Sequence, residues 1–400
     1  MIMEKRIELL MPAGDLIRLK AALLYGADAV FIGGKSFSLR AKASNFTLKD
    51  IEEGVKFAHS LNKKVYVTVN IIPHEDDLNN IEEYLKSLDD INVDAIIVSS
   101  LAIISIVKKL KLKLECHVST QVSSLNAEVV KFYEDLGCER VVLGRECSLD
   151  EIDSIIRNCS AEIEVFIQGG LCSSYSGKCT LSNYFVNRDA NRGGCAHSCR
   201  WDYTLFNKNM ISIDERPFKI ASKDLIGIRY VKKMIESGVS SLKVEGRMKS
   251  INYVSIVARN YRRIIDACYD GSITDELILE VEKELSRIES RPLCAAWLNP
   301  KGVSNNDQIY DNESRMVNQN FLGYIANISD NSVEIVRKND IFLGEEIEIF
   351  PYDKEPYKVK IEKLWDKDGE VTLANRTENK LYAILSKPVK EYYILRRNEK

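Results

Sequence analysis

Short β-branched runs, most of them separated by an amphipathic helical pattern, recur eight times in the first two thirds of the chain, and few folds can absorb that rhythm. The runs are IELLMPA (7–13), DAVFIGG (28–34), KVYVTVN (64–70), DAIIVSS (94–100), LECHVST (114–120), RVVLGRE (140–146), IEVFIQG (163–169) and SLKVEGR (241–247). Helical stretches at 15–26, 47–61 and 126–137 lie between them, and several end in glycine, which stops a helix by taking a left-handed conformation. Strand–helix alternation builds a parallel sheet covered by helices. Eight strands is the number that closes, so the pattern predicts an α/β fold of (β/α)8 barrel type over residues 1–272, with a doubly wound open sheet as the alternative.

A charged helix and a polar connector occupy 273–320. From Phe321 to the end the pattern changes to period-two runs broken by turn residues: GYIANI, SVEIVRK, GEEIEIF, YKVKIEKLW, EVTLAN, LYAILS and EYYILRR. Residues 321–400 therefore read as a small all-β domain, a closed or half-open barrel.

The formal net charge of −3 in 400 residues gives no global basic field, so any nucleic-acid surface must be a local patch. The first residues lack the apolar run of a signal peptide, and no apolar run of about 18 residues occurs anywhere. These features predict a cytoplasmic protein without a membrane segment, in a compartment where thiols stay reduced. Clustered cysteines there bind metal or do redox chemistry more readily than they form disulfides.

Such a cluster is present. After the seventh run the chain departs for some 50 residues (169–219), where a βα connection usually takes about 2 to 6. The excursion holds Cys172, Cys179, Cys195 and Cys199, spaced C-x6-C-x15-C-x3-C, in a segment too rich in Gly, Ser and Asn to be core. Barrel loops at the C-terminal strand ends build catalytic faces, so the thiols stand where chemistry happens. Structural zinc sites pair tight C-x2-4-C knuckles, and only the second pair here is tight. Four loop-borne thiolates with irregular spacing suit an iron–sulfur cluster, with Gly177, Gly193 and Gly194 letting backbone amides approach the sulfurs. Zinc, and unligated thiols, stay open on spacing alone. Cys116, Cys138, Cys147, Cys159, Cys268 and Cys294 sit singly on strand or helix patterns and read as small hydrophobes.

The segment EVFIQGGLCSSYSGKCTLS (164–182) closely resembles the signature of the collagenase-like peptidase family U-32, and NRDANRGGCAHSCRW, STQ (119–121) and LKVEGRMKS (242–250) resemble further blocks of that family. The layout is most similar to its tRNA hydroxylation branch. That resemblance implies 5-hydroxyuridine formation at the wobble position without oxygen, with prephenate as hydroxyl donor and co-substrate and the tRNA anticodon loop as target. It also implies a 4Fe-4S cluster on Cys172, Cys179, Cys195 and Cys199, and it admits a related family member as hetero-oligomeric partner. Many members carry His-Gly-Ala before the first cysteine, where this chain has Gln168-Gly169-Gly170.

The family name raises proteolysis as the competing activity. A protease needs an activated nucleophile or a metal-bound water. The chain has only four histidines, His59, His74, His117 and His197, and neither H-E-x-x-H nor G-x-S-x-G occurs. A non-catalytic RNA- or partner-binding module stapled by metal is the third reading. Hydroxylation makes better use of the polar residues near strand ends: Arg40, Asn70, Ser119, Thr120, Gln121, Arg145, Glu146, Gln168 and Arg247 as substrate-binding candidates, with Glu245, Arg145 and His117 as catalytic ones. Prephenate carries two carboxylates, and the guanidinium fork of Arg40, Arg145 or Arg247 suits a carboxylate. Tyr175, Tyr184, Phe185, Trp201 and Tyr203 offer stacking surfaces or a shield for the cluster, and Arg259, Arg262 and Arg263 form a basic strip that could meet tRNA phosphates.

Overall fold

The computed structural model describes residues 6–35, 37–38, 45–213, 217–309, 320–329, 331–374 and 380–397. Eight parallel strands close into a barrel: β1 (Glu8–Pro12), β2 (Ala29–Gly33), β3 (Lys64–Val69), β4 (Ala95–Val98), β5 (Glu115–Val118), β6 (Arg140–Val142), β7 (Glu162–Gly170) and β8 (Ser241–Val244). Closure is explicit in the register, since Leu242 of β8 pairs with Leu9 on one side and Val165 on the other. The open-sheet alternative is thereby excluded.

Helices cover the strands, among them α3 (Ile81–Asp90), α4 (Leu101–Leu110), α5 (Ala127–Asp135) and α8 (Val231–Ser237), and others start where the sequence supplies caps. Thr47 and Ser148 each form a reciprocal capping box with the third helical residue, opening α2 (Leu48–Ser60) and α6 (Leu149–Arg157). Ser250 caps α9 (Ile251–Asp270), which packs against α1 (Leu16–Leu24) and α10 (Asp275–Ser286). Outward strand residues such as Leu9, Val30, Val67 and Val165 join the helices in one apolar core.

The barrel interior is partly ionic. Arg140, 2 % exposed, bonds Glu8 at 2.6 Å, Glu162 at 2.7 Å and Glu164 at 3.1 Å, and Lys243 bonds Glu164 at 2.6 Å. Burial pushes the Glu164 carboxyl up, but Lys243 and Arg140 outweigh it and hold it below the usual carboxylate range. Phe166 lies above, with the Lys243 ammonium 5.7 Å from its ring.

Residues 321–397 form a second, all-β barrel of six antiparallel strands: β9 (Phe321–Ser329), β10 (Ser332–Arg337), β11 (Glu346–Phe350), β12 (Tyr357–Asp366), β13 (Lys380–Leu385) and β14 (Ile394–Arg397). They run β11-β14-β9-β10-β13-β12, and β12 returns to β11. Among the described residues the expected run EVTLAN overlaps two two-residue strands, 369–370 and 373–374.

The two barrels are bolted together. Tyr25 donates to the Phe350 carbonyl at 2.6 Å and accepts from the Ile394 amide. Arg259 donates to the Pro351 carbonyl and lies over the Phe350 ring. Arg262 pairs with Asp28 and Asp266, and Arg263 with Glu280. Of the basic strip expected on α9, Arg259 is buried at the domain junction and Arg262 and Arg263 are paired with carboxylates, so the strip is not a free basic face.

The connector read as polar linker is structural. Leu293–Cys294 pairs with Asp224–Ile226, which runs antiparallel to the end of β7, and Gln308–Ile309 pairs with Ala221–Ser222. Two short ribbons thus carry residues 293–309 back to the mouth of the barrel. No helix among the described residues is long and apolar enough to cross a membrane.

Candidate active site at the barrel mouth

The cysteine excursion is stitched to the C-terminal ends of the barrel strands. Glu146, just past β6, accepts from the Ser176 amide at 2.9 Å and from its hydroxyl at 3.2 Å. Ser123 donates to the Ser176 carbonyl. Gly177 (φ +73°) rests directly on the Gln121 backbone, where an added Cβ would meet the carbonyl oxygen at 1.9 Å. On the far side Asn191 accepts from the Ile72 amide at 3.2 Å, and Arg192 pairs with Asp77. The glycines thus serve loop docking: Gly177 packs on Gln121 and Gly194 on the Asp189 backbone.

Within this frame the four thiols influence one another. Crowding by protein pushes the Cys172 thiol up, although the residue keeps exposed surface. Arg145 pulls it down, and Cys195, Glu245 and Cys179 add to the rise. Burial raises Cys199 likewise, opposed by Arg200 and reinforced by Cys172 and Cys195. Among the described residues no three His, Cys, Asp or Glu side chains stand close enough to hold a single metal ion. One tetrahedral zinc would need its sulfurs about 3.8 Å apart, given Zn–S bonds of about 2.3 Å. A cluster that binds each thiolate through a separate iron takes a more open set. Four soft thiolate donors on one loop have the donor chemistry that an iron–sulfur cluster takes.

Arg145 and Glu245 meet beside Cys172. The Arg145 guanidinium lies 3.6 Å over the Phe166 ring and 3.8 Å from the Glu245 carboxylate. Together with Glu146, Leu171 and Cys172 it faces Ser222, Trp297 and Asp307 across a shallow pocket. Behind the loop Arg291 bonds Asp224 at 2.6 Å and the Leu171 carbonyl at 3.2 Å, fixing the backbone next to Cys172.

The remaining candidates divide. Arg247, 3 % exposed, donates to Ser38 Oγ at 2.8 Å and Thr68 Oγ1 at 3.1 Å. Gly33 makes room for it, since a Cβ there would lie 1.9 Å from the guanidinium. Asn70 donates to Ser119 at 3.4 Å, and Thr120 to the Leu143 carbonyl at 3.2 Å, so these residues and Gln121 shape the rim where the loop docks. Glu146 acts as the loop's anchor. Arg40 lies outside the described residues. Two candidates face elsewhere. His117 is fully buried in the barrel interior, 3.2 Å from Glu115 and edge-on to Tyr66, one inward position below Ser119. Gln168 is turned outward by the irregular register between β7 and β8 and accepts from Tyr261 of α9 at 2.8 Å. Ser38, Ser222, Trp297, Asp307 and the Arg291–Asp224 pair escaped the sequence reading, because they come from segments without periodicity.

An eight-stranded β/α barrel with an arginine–glutamate pair and a four-cysteine excursion at its C-terminal mouth has the layout of an enzyme. The chain belongs to peptidase family U32: the model of that family matches residues 14–308, and the model of its C-terminal domain matches residues 317–396. It is 41% identical over 380 residues to tRNA hydroxylation protein P1 of Bacillus subtilis (strain 168), covering 92% of this chain and 89% of that one. It is 39% identical over 285 residues to the 23S rRNA 5-hydroxycytidine C2501 synthase of Escherichia coli (strain K12), 71% of this chain and 42% of that one. It is 33% identical over 298 residues to a collagenase of Porphyromonas gingivalis (strain ATCC BAA-308 / W83), 71% of each.

Proposed function

We propose that this protein hydroxylates RNA, and specifically that it forms 5-hydroxyuridine at the wobble position of tRNA in the cytoplasm, with prephenate as hydroxyl donor in place of oxygen. The observation that carries the reading is the meeting of Arg145, Glu245 and Cys172 of the excursion at the mouth of the barrel. The relatives named for tRNA and rRNA hydroxylation support the RNA substrate. Cys172, Cys179, Cys195 and Cys199 would hold a 4Fe-4S cluster, which when bound supplies one-electron chemistry. Arg145 would bind a carboxylate of the donor, pre-oriented by the Phe166 face beneath it, while Arg247, buried on Ser38 and Thr68, would brace the floor of the mouth. Glu245, beside that guanidinium, would move a proton at the reacting centre. A wobble base is unpaired, so it can enter such a pocket at low unstacking cost.

Proteolysis has weaker support in the geometry. His117 is sealed in the barrel, and a dyad from His197 would need the neighbouring thiols free of metal. The test is an anaerobic reaction of the purified protein with unmodified tRNA and prephenate. Mass analysis should find one added oxygen on a uridine only when the donor is present. Hydrolysis of a collagen peptide with no change in the tRNA would overturn the reading.

A further inference from the structure

We infer that the rings of the cysteine excursion form a platform on which unpaired bases of the RNA stack, an inference that rests on the hydroxylation reading above. The short helix α7 (Leu181–Val186) lies between Cys179 and Cys195, and Trp201 follows Cys199 by two residues. Their rings run in series: Tyr184 to Phe185 at 5.1 Å, Phe185 to Trp201 at 6.2 Å, Phe185 to Tyr203 at 5.7 Å and Tyr203 to Phe218 at 6.0 Å. A ring that only shielded a cluster would be covered. Tyr184 is 84 % exposed, and Phe185 and Trp201 are exposed beside it. A contiguous apolar patch of this kind marks a surface that a partner covers.

Charge selects the partner. Residues 171–213 contain two lysines and three arginines against two aspartates, net +3, in a chain of net −3. One of those aspartates, Asp202, is paired with Lys219, and one of those arginines, Arg192, with Asp77. Open aromatic faces among cations suit single-stranded nucleic acid, whose bases stack while its phosphates meet the positive charge. Duplex RNA keeps its base faces covered, so the platform takes a loop. The hairpin beyond it also exposes Leu205, Met210 and Ile211, side chains with no π face, and these make a protein partner the competing occupant.

The test uses the full-length, metal-loaded protein, a stem-loop RNA with an unpaired seven-nucleotide loop, on the order of an anticodon loop in size, and a fully paired duplex of equal length. Tyr184→Leu and Phe185→Leu should each weaken stem-loop binding roughly 5- to 150-fold and raise the KM for RNA while kcat is retained. Duplex binding should not change, and Tyr184→Phe should behave as wild type. Three results would overturn the platform: a double leucine variant that binds the stem-loop normally, one that loses iron and sulfide, or one that converts a dimer into a monomer. If wild type hydroxylates RNA and the double variant matches it, the platform falls and the hydroxylase stands. If wild type neither binds nor hydroxylates RNA, both fall.

Discussion

Arg145 and Arg247 are the same residue type in different settings, and the difference makes them separable. Arg145 stacks on Phe166 in the open pocket, whereas Arg247 fills a slot that only Gly33 leaves free. Arg145→Lys keeps the charge but loses the planar fork, at a cost of about 1.5–3 kcal/mol in donor binding. Folding and iron content should survive, and excess prephenate should restore modification. Rescue that fails at every donor concentration, with stability unchanged, would remove Arg145 from the donor site. The thiols separate in the same way. Burial pushes Cys116 and Cys147 up to about 12 and Cys138 up to about 11, so at pH 8 they should resist alkylation in the native protein. In chelator-treated protein Cys195, which is exposed, should label ahead of these buried thiols by mass spectrometry. Replacing any of Cys172, Cys179, Cys195 or Cys199 by Ser should abolish iron loading, while Cys138→Ser should cost only about 1 kcal/mol.

At the scale of elements, the excursion is held by named contacts to the strand ends, and those contacts are where it should fail. Glu146→Gln weakens the bonds to the Ser176 amide and hydroxyl, and Gly177→Ala forces a Cβ onto the Gln121 carbonyl. Both variants should keep the barrel's circular dichroism and thermal midpoint while losing iron. Loss of the barrel fold would show that the loop is part of the folding core. These contacts also mark the limit of what sequence reveals. The eight strands were legible because each repeats an apolar pattern that must face helices, and the excursion because its length breaks that pattern. The roles of Glu146 and Gly177 were not, since a carboxylate and a glycine near a strand end have many uses until a partner is opposite them. His117 and Gln168 misled for a related reason: strand position gives no side-chain direction where a register shifts or an inward residue sits a layer too deep. The basic strip on α9 read as a surface because its covering domain lies about 90 residues further along the chain.

At the scale of the molecule, an ionic interior is unusual ballast for a barrel, and it sets the pH dependence of stability. Arg140 serves three carboxylates, so Arg140→Met should cost about 3–5 kcal/mol in urea unfolding by leaving buried charge uncompensated. Glu164 is held below its ordinary value of 4.5 in the fold. Its contribution is therefore present above that value and lost as the pH falls through the lowered native one. Wild type should lose stability on acidification below about pH 4.5, and Glu164→Gln should flatten that slope. A slope unchanged by Glu164→Gln would place the acid sensitivity elsewhere. The whole account converges on one activity at the mouth between the cysteine loop, the arginine pocket and the returning connector. The most direct measurement is nucleoside mass spectrometry of tRNA from a strain deleted for this gene, complemented with wild type or with Cys199→Ser. The account predicts that 5-hydroxyuridine and its derivatives disappear on deletion, return with wild type and do not return with Cys199→Ser. Full modification in the Cys199→Ser strain, or an unchanged nucleoside profile on deletion, would contradict it.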